Sequence, residues 1–206
     1  MTYGKLADVD GNTYKTISIG TQIWMAENLK TTKYNDKSSI PLVTDNSAWA
    51  NLTTSGYCWF NNDETTHKNV YGALFNWYSI NTRKLCPSGW HVPVKREWMI
   101  LAAYINENGG KLKETGVTHW FDPNAGATNE SGFTALPGGF RSREGAFFSI
   151  KQAGFWWSAS ECTECDAFPE WNFIDAEDFS LGAESYGYGN QHDNMSFGYS
   201  VRCIKN

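Results

Sequence analysis

The sequence predicts a mixed α+β fold with an N-terminal β-hairpin, two helices in the middle, and short strands joined by long loops after residue 110. Three observations predict it. Residues 12–25 have the alternation of a strand pair, two later segments place apolar residues at helical spacing, and the remainder is divided by Gly and Pro. No internal repeat or Gly/Ser-rich linker divides the 206 residues, so we expect one domain over residues 1–206.

The hairpin is predicted for residues 12–25, NTYKTISIGTQIWM, in which Gly20-Thr21 separates two runs of β-branched and aromatic residues. The first run alternates two sets of side chains, which are Tyr14, Thr16 and Ser18 against Lys15, Ile17 and Ile19. This period of two indicates a strand. Residues 35–56 are polar and irregular, and they predict a long loop.

Two segments carry apolar residues on one helical face. YGALFNWYSI (71–80) places four of them at i, i+3, i+4 and i+7, namely Tyr71, Leu74, Phe75 and Tyr78. VPVKREWMILAAYINENGG (92–110) repeats the pattern with Trp98, Leu101, Ala102 and Ile105. In this second segment Pro93 marks the start and Gly109-Gly110 the stop, although Val94 is a poor N-cap residue.

Strands and turns are predicted for the rest of the chain. Residues 126–142 have the Gly and Pro punctuation of strands and turns, and residues 155–160 (FWWSAS) and 199–204 (YSVRCI) are suited to strands. Trp156 and Trp157 would then alternate, one facing the core and one facing outward.

The charge distribution argues against nucleic acid as a partner. Residues 152–201 contain no Lys or Arg and nine carboxylates, whereas a phosphate backbone requires a basic surface. A solvated acidic face is the alternative explanation of this segment. The chain has no apolar run long enough to span a membrane, and its first residues lack the basic and apolar regions of a signal peptide.

The cysteines form neither a complete metal-binding motif nor a complete redox motif. Their number is odd, which leaves at least one thiol free or paired with another chain: Cys58, Cys86, Cys162, Cys165 and Cys203. A redox pair at Cys162 and Cys165 would need a helix after it, but Pro169 follows, so we expect a loop disulfide or two plain thiols there. His91, between apolar residues, is interpreted as a structural histidine.

Catalytic and calcium sites have weaker support. The four histidines are scattered, and nothing near the carboxylates of residues 161–184 would separate their pKa values, so no triad or glycosidase pair is indicated. Calcium remains a hypothesis without EF-hand spacing, with oxygen ligands from Asp175, Glu177, Asp178, Asp193 or Asn194. No cofactor is expected otherwise.

Residues 155–199 carry the strongest functional signal, a mixture of aromatic and small polar side chains. Tyr, Trp, Ser, Gly and Asn supply recognition loops with contact area at low entropic cost, and aromatic faces beside amides also suit sugar rings. Ordinary packing of loops on a core is the alternative.

Several separated strings together resemble the Fibrobacter succinogenes major paralogous domain family: DVDGNTYKTISIGTQIWMAENLKT, YCWFNND, YGALFNWYSI, LCPSGWHVPVKREW, GATNESGFTALPGGFRS, GFWWSAS and YSVRCIKN. They span residues 8–205 in the family's order, and residues 161–198 match least. The resemblance implies a C-type lectin-like α+β fold, with two helices packed on small antiparallel sheets, long loops, and the last strand beside the beginning of the chain. It also implies a disulfide between Cys86 and Cys203 and a buried free thiol at Cys58.

The chemistry of related folds does not carry over. Formylglycine-generating enzymes use a cysteine pair shortly before the final strand, and residues 184–200 contain no cysteine. The EPN, QPD and WND signatures of calcium-dependent lectins are also absent, since Trp171-Asn172 is followed by Phe173. The resemblance therefore implies a non-catalytic binding domain.

The implied ligand is a glycan or a protein on the surface of another cell, bound through a hypervariable C-terminal surface. That surface is similar to those diversified by retroelements. The residues expected to contact the ligand are Trp171, Asn172, Asp175, Tyr186, Tyr188, Asn190, His192, Asp193 and Asn194. The family's usual setting implies a secreted or outer-surface protein, often lipid-anchored, of a Bacteroidota-type bacterium, or a phage adhesin. The alternatives are an enzyme acting on a cell-wall or glycan substrate, and a structural spacer.

Overall fold

The structure, a computed structural model, describes residues 1–161, 175–185 and 187–206, and it is mixed α/β, mostly sheet with few helices. Twelve strands are present in the described residues, namely β1 (Gly4–Ala7), β2 (Thr13–Ile19), β3 (Gln22–Met25), β4 (Tyr57–Cys58), β5 (Leu74–Phe75), β6 (Trp90–His91), β7 (Gly138–Arg141), β8 (Phe147–Ile150), β9 (Ala153–Glu161), β10 (Asp175–Gly182), β11 (Gly189–Asn194) and β12 (Ile204–Lys205). The α-helices are α1 (Asn46–Ala50), α2 (Glu64–Tyr71), α3 (Trp77–Asn81) and α4 (Lys95–Tyr104).

The first sheet has the order β1-β2-β3-β12-β6 and contains the predicted hairpin. Ile19 pairs with Gln22 across the turn, and Gly20 has a φ of 59° that favours glycine. The burial of β2 does not alternate strictly, because Thr16 and Ile17 are both buried. Tyr14 packs in one core cluster and Ile17 in another, so both faces of this strand are covered.

The C-terminal strand β12 lies inside this first sheet. Ile204 pairs with Trp24 of β3 on one side and with His91 of β6 on the other. Next to it, Cys203 is joined to Cys86 by a disulfide, and the two residues are 117 positions apart in the sequence. The last residues of the chain are therefore tied to its beginning and to its middle.

The helix predicted for residues 71–80 is wrong. Helix α2 ends at Tyr71, because Gly72 has a φ of 76° and a ψ of −168°, outside the helical region. Strand β5 follows and pairs with β4, and Asn76 then caps α3 by accepting a hydrogen bond from Ser79 N at 3.3 Å. The four apolar residues are divided among three short elements, and Leu74 and Phe75 of β5 pack in different core clusters.

The second predicted helix is confirmed as α4, with Trp98, Leu101 and Ala102 buried. Val94 gives no side-chain cap, and the Glu97 carboxylate instead accepts a hydrogen bond from Val94 N at 2.9 Å. The helix ends at Tyr104, and the glycines proposed as its stop begin a 3₁₀ helix, Gly109–Lys111. The predicted loop of residues 35–56 also contains one short helix, α1, capped by Asp45.

The second sheet has the order β11-β10-β9-β7-β8. Strand β9 confirms the strand predicted at residues 155–160, whereas residues 126–142 contribute only β7. Of the strand predicted at residues 199–204 only Ile204 is in a strand, and Tyr199 and Ser200 make isolated bridges. Trp156 and Trp157 are both fully buried, which contradicts the prediction that one faces outward. They pack in different core clusters, because β9 is covered on both faces.

Aromatic rings link the two sheets through α4. Trp24 of β3 lies 4.8 Å from Trp98 of α4, and Trp98 stacks on Phe179 of β10 at 4.7 Å between ring centroids. Among the described residues no helix has the length and apolar character that a membrane span requires. His91 bonds through its two ring nitrogens to Asn206 and Glu97, as expected of a structural histidine.

Candidate functional site: a charged cleft beside the β10–β11 hairpin

The candidate site is a cleft of about 620 Å³ at the end of the second sheet, where β9 ends and β10 begins. Four elements meet there, which are α3 with the turn after it, the first residue of α4, and the ends of β9 and β10. The lining side chains are Trp77, Ile80, Asn81, Arg83, Lys95, Ala159, Ser160, Glu161 and Glu177. The cleft therefore combines apolar groups with charges of both signs.

An ion pair between Lys95 and Glu177 crosses the cleft. The Lys95 Nζ to Glu177 Oε1 distance is 2.7 Å, and Glu177 is only 7% exposed although it is charged. Local structure holds Lys95 in place, because its backbone N–H donates to Ser160 Oγ at 3.0 Å and Ala159 N–H donates to Pro93 O at 2.8 Å. A buried carboxylate with one cation partner keeps further acceptor positions for a ligand.

The floor of the cleft is apolar and rigid. Trp77 is buried and its indole N–H donates to Ser158 O at 2.9 Å, which fixes the ring. Ile80 is also buried, and the exposed side chains of Arg83 and Glu161 line the rim. An apolar floor below a charged rim suits a ligand that has an apolar face and several hydroxyl or amide groups.

The β10–β11 hairpin contains most of the residues expected to bind a ligand. Register pairs Asp175 with Asn194 and Glu177 with His192, both near the cleft, and Phe179 with Asn190 farther along. Trp171, Asn172 and Tyr186 lie outside the described residues, and so do Cys162 and Cys165. For Asp175, Asn190 and His192 the strand positions are described.

Asp193 and Asn194 have structural contacts of their own. The Tyr199 hydroxyl donates to Asp193 Oδ2 at 2.5 Å, and Asn194 Oδ1 accepts from Ser196 N at 2.9 Å. Burial raises the pKa of Tyr199, and the Asp193 and Asp178 carboxylates raise it further, so Tyr199 remains a donor. Both residues are half-buried, and they fix the end of β11 near the cleft.

Tyr188 lies at the opposite end of β11. Its ring stacks on Phe179 at 5.2 Å between centroids and an interplanar angle of 15°, and it is half-buried. The six residues of β11 extend about 20 Å at the usual rise per residue. The structure therefore divides the expected site residues between two ends of one hairpin, and a ligand of one or two sugar rings reaches only one of them.

Sequence reasoning did not identify the cleft. Lys95, Arg83 and Trp77 were not named as site residues, and Glu177 was named only as a calcium ligand. One local signal was present, since a lysine at the first residue of a helix is unfavourable next to the positive end of the helix dipole. Its partner Glu177 is 82 residues away in the sequence, and no local pattern connects the two.

The geometry of the described residues gives no support to the calcium hypothesis. There, no group of three or more His, Cys, Asp or Glu is placed to hold a metal ion. Glu177 and Asp178 are consecutive in β10, where the register with β9 shifts between Ala176 and Asp178.

The cleft and the hairpin both lie inside a span that matches one known family. The model of the Fibrobacter succinogenes major domain family matches residues 17–205. No match was found among curated proteins or solved structures. The matched span includes β3 to β12, the last three residues of β2, the Cys86–Cys203 disulfide and the four α-helices of the described residues. The chain belongs to the Fibrobacter succinogenes major domain family.

Proposed function

We propose that this protein is a non-catalytic binding domain with a C-type lectin-like fold, which recognises a glycan on the surface of another cell. The observation that carries the proposal is the cleft, in which the Lys95–Glu177 ion pair lies above the apolar floor of Trp77 and Ile80. A protein ligand on the same surface is the alternative outcome of the tests below. The proposed setting is a secreted or outer-surface protein, lipid-anchored, or a phage adhesin.

The chemistry of the cleft fits a sugar ring. A pyranose has an apolar face that packs on the partly exposed Ala159, and a rim of hydroxyls that both donate and accept hydrogen bonds. The Glu177 carboxylate accepts from one hydroxyl, and the Lys95 ammonium, which has three donors, donates to its neighbour while keeping the ion pair. Arg83 and Glu161 on the rim add contacts to a second ring.

A glycan array provides the first test. We expect the wild-type protein to bind a subset of saccharides, and we expect the double variant Lys95→Gln/Glu177→Gln to bind them at least about tenfold more weakly, a loss of roughly 1.4 kcal/mol. The double variant removes both charges together, so that neither is left buried and unpaired. Lys5→Gln on the exposed strand β1 is the matched control and should bind as the wild type does.

A second measurement separates a glycan from a protein ligand. Whole bacterial cells that bind the protein are treated with periodate, which oxidises vicinal diols of sugars. Loss of binding after treatment supports a glycan. Binding that survives periodate and is lost after treatment of the cells with protease means that the ligand is a protein, and an array without any bound saccharide would then contradict the proposal for a glycan.

One observation favours an enzyme as the second candidate. Two carboxylates, Glu161 and Glu177, line the same cleft, as in enzymes that hydrolyse glycosidic bonds. Against this, Glu177 Oε1 lies 2.7 Å from Lys95 Nζ, so this carboxylate is already engaged in an ion pair. Hydrolysis of 4-nitrophenyl glycosides that disappears in Glu161→Gln would support the enzyme, and a lack of turnover by the wild type supports binding alone.

Diversification of residues 161–198 by a retroelement is part of the same proposal. Glu161 and Glu177 line the cleft and belong to residues 161–198, so changes within this range can alter the cleft. A reverse-transcriptase gene and a near-repeat of the 3′ end beside this gene would support it. A purely structural spacer, by contrast, would bind neither saccharides nor cells.

A further inference from the structure

The turn that joins β10 to β11 is held by a fully buried lysine. Lys113 Nζ donates to Gly182 O at 2.9 Å and to Ser185 O at 2.8 Å, and the residue has no exposed surface. Its ammonium also lies 5.3 Å from the centroid of the Trp120 ring. A buried lysine normally has a carboxylate partner, and here its hydrogen bonds go to main-chain carbonyls instead.

Three further contacts hold the same turn, and all of them use its backbone. Ala183 N–H donates to Gln152 O at 2.7 Å, and Ala183 O accepts from Ala125 N–H at 2.7 Å. Gly109 packs so closely that a Cβ on it would lie 2.6 Å from Gly187 O. Gln152 lies in the turn between β8 and β9, Ala125 in a loop and Gly109 in the 3₁₀ helix, and each of them contacts main-chain atoms of the β10–β11 turn. Inside the turn, Ser185 Oγ also accepts a hydrogen bond from Gly187 N–H at 2.9 Å.

We propose that Lys113 is a positioning residue that fixes the β10–β11 turn through main-chain atoms, so that the exposed side chain of Glu184 can change without moving the turn. The proposal goes beyond the proposed function, because this turn lies at the end of the hairpin opposite the cleft. The same turn is also held by contacts from Gln152, Ala125 and Gly109. A loop held by side-chain contacts would move whenever those side chains were replaced.

The chemistry explains why a lysine suits this role. Its ammonium carries three donors on a flexible stem, and two of them reach two carbonyls of one turn. Methionine has a similar length and fills the same space, but it cannot donate, so Gly182 O and Ser185 O would be left without these donors. Arginine can donate to both carbonyls, although its longer planar group must be accommodated.

Hydrogen exchange measured by mass spectrometry on the free protein tests the proposal without any ligand. For Lys113→Met we expect exchange about tenfold faster or more in the peptide covering residues 181–189, with exchange in α4 and β9 unchanged. Lys113→Arg should restore much of the protection. Lys111→Met, two residues away, is the matched control and should exchange as the wild type does.

Two further variants test the main-chain contacts of the turn and its side chains separately. Gly109→Ala should also speed exchange in residues 181–189, because its Cβ would press on Gly187 O, and it keeps the test available if Lys113→Met fails to fold. Glu184→Lys reverses a side-chain charge in the turn and should leave exchange unchanged.

The proposal is overturned if residues 181–189 exchange within about twofold of the wild type in Lys113→Met, if all peptides lose protection equally, or if Glu184→Lys releases the turn. Because the measurement uses no ligand, an empty glycan array would contradict the proposed function and leave this result intact.

Discussion

Arg202 is a fully buried cation whose described partners are carbonyls, an amide and an aromatic ring. Its guanidinium donates to Asn28 Oδ1 at 2.9 Å, to Thr134 O at 2.8 Å and to Phe133 O, and it lies 4.1 Å from the Phe133 ring centroid. Burial lowers the pKa of Arg202 to about 9, although the Glu27 carboxylate raises it. The planar fork of arginine satisfies all three acceptors, which holds the loop of residues 133–134 against the segment that leads into β12.

Replacing this fork by a point charge should destabilise the fold. A lysine at this position cannot reach three acceptors in one plane, so we expect Arg202→Lys to lower the free energy of unfolding by about 2–4 kcal/mol. Urea unfolding followed by tryptophan fluorescence measures the change. Arg96→Lys, at an exposed position of α4, is the control and should change stability by less than about 0.5 kcal/mol. Equal effects of the two substitutions would contradict this role.

Lys113 should make stability depend on pH in a known direction. Burial lowers its pKa from the ordinary value of 10.5 to about 8. Between these two values the unfolded chain keeps the proton that the native state has lost, so the contribution of Lys113 to stability rises with pH. The neutral amine still has two N–H groups, and both carbonyl contacts can persist.

We therefore expect the free energy of unfolding of the wild type, relative to that of Lys113→Met, to rise by about 2 kcal/mol between about pH 7.5 and about pH 10. Urea unfolding of both proteins at intervals of half a pH unit measures this difference, in which the titration of other groups cancels. A difference that stays constant over this range, or that falls, would contradict a lowered pKa.

At the scale of elements, the secondary structure between residues 63 and 81 depends on a change of backbone direction at Gly72. The described backbone leaves the helical region at Gly72 because φ is 76°, and a Cβ there would lie 2.8 Å from Leu29 O. Ala73 N–H donates to that same Leu29 O at 3.0 Å, which directs the chain into β5. The close approach of Gly72 to Leu29 therefore separates α2 from β5.

Gly72→Ala should lower the free energy of unfolding by more than the strain of the backbone conformation alone predicts. We expect a loss of about 3 kcal/mol or more, of which about 1–2 kcal/mol is strain from positive φ and the rest is the clash with Leu29. Gly11→Ala is a matched control, since Gly11 has a φ of 83° with no atom within 4 Å of its added Cβ. Thermal and urea unfolding of both variants measure the difference, and equal losses would show that the clash relaxes without cost.

The same elements show what the sequence could predict. The β2–β3 hairpin and α4 were predicted because their turn residue and apolar spacing are local. The helix at residues 71–80 was wrong because its apolar positions face partners from distant segments, such as Tyr199 beside Phe75. The ion pair of Lys95 and Glu177 was missed for the same reason, since only tertiary structure brings the two together.

At the scale of the molecule, two large aromatic clusters cover opposite faces of the central strands. Trp156 and Trp157 contribute to one cluster each, and so do Tyr14 and Ile17 in the first sheet. This arrangement explains the high aromatic content of 16% more directly than a ligand surface does. Many of the rings between residues 155 and 199 are core residues, and the proposed binding surface rests on them.

The Cys86–Cys203 disulfide should contribute strongly to the stability of this arrangement. It joins residues 117 positions apart, so loss of the link increases the entropy of the unfolded chain by an amount equivalent to about 4–5 kcal/mol. We expect the double variant Cys86→Ser/Cys203→Ser to lose about this much, measured by urea unfolding at neutral pH. Cys58→Ser is the control, since that thiol is buried and free. An unchanged midpoint in the double variant would contradict the expectation.

The position of β12 has a consequence for how the protein is made. Ile204 lies between β3 and β6, and Cys203 forms the disulfide, yet both follow residues 161–198 in the chain. A gene copy with a stop codon or a frameshift in that segment loses the strand that completes the first sheet. Only chains that are read in frame through residues 161–198 can therefore complete the first sheet and form the disulfide.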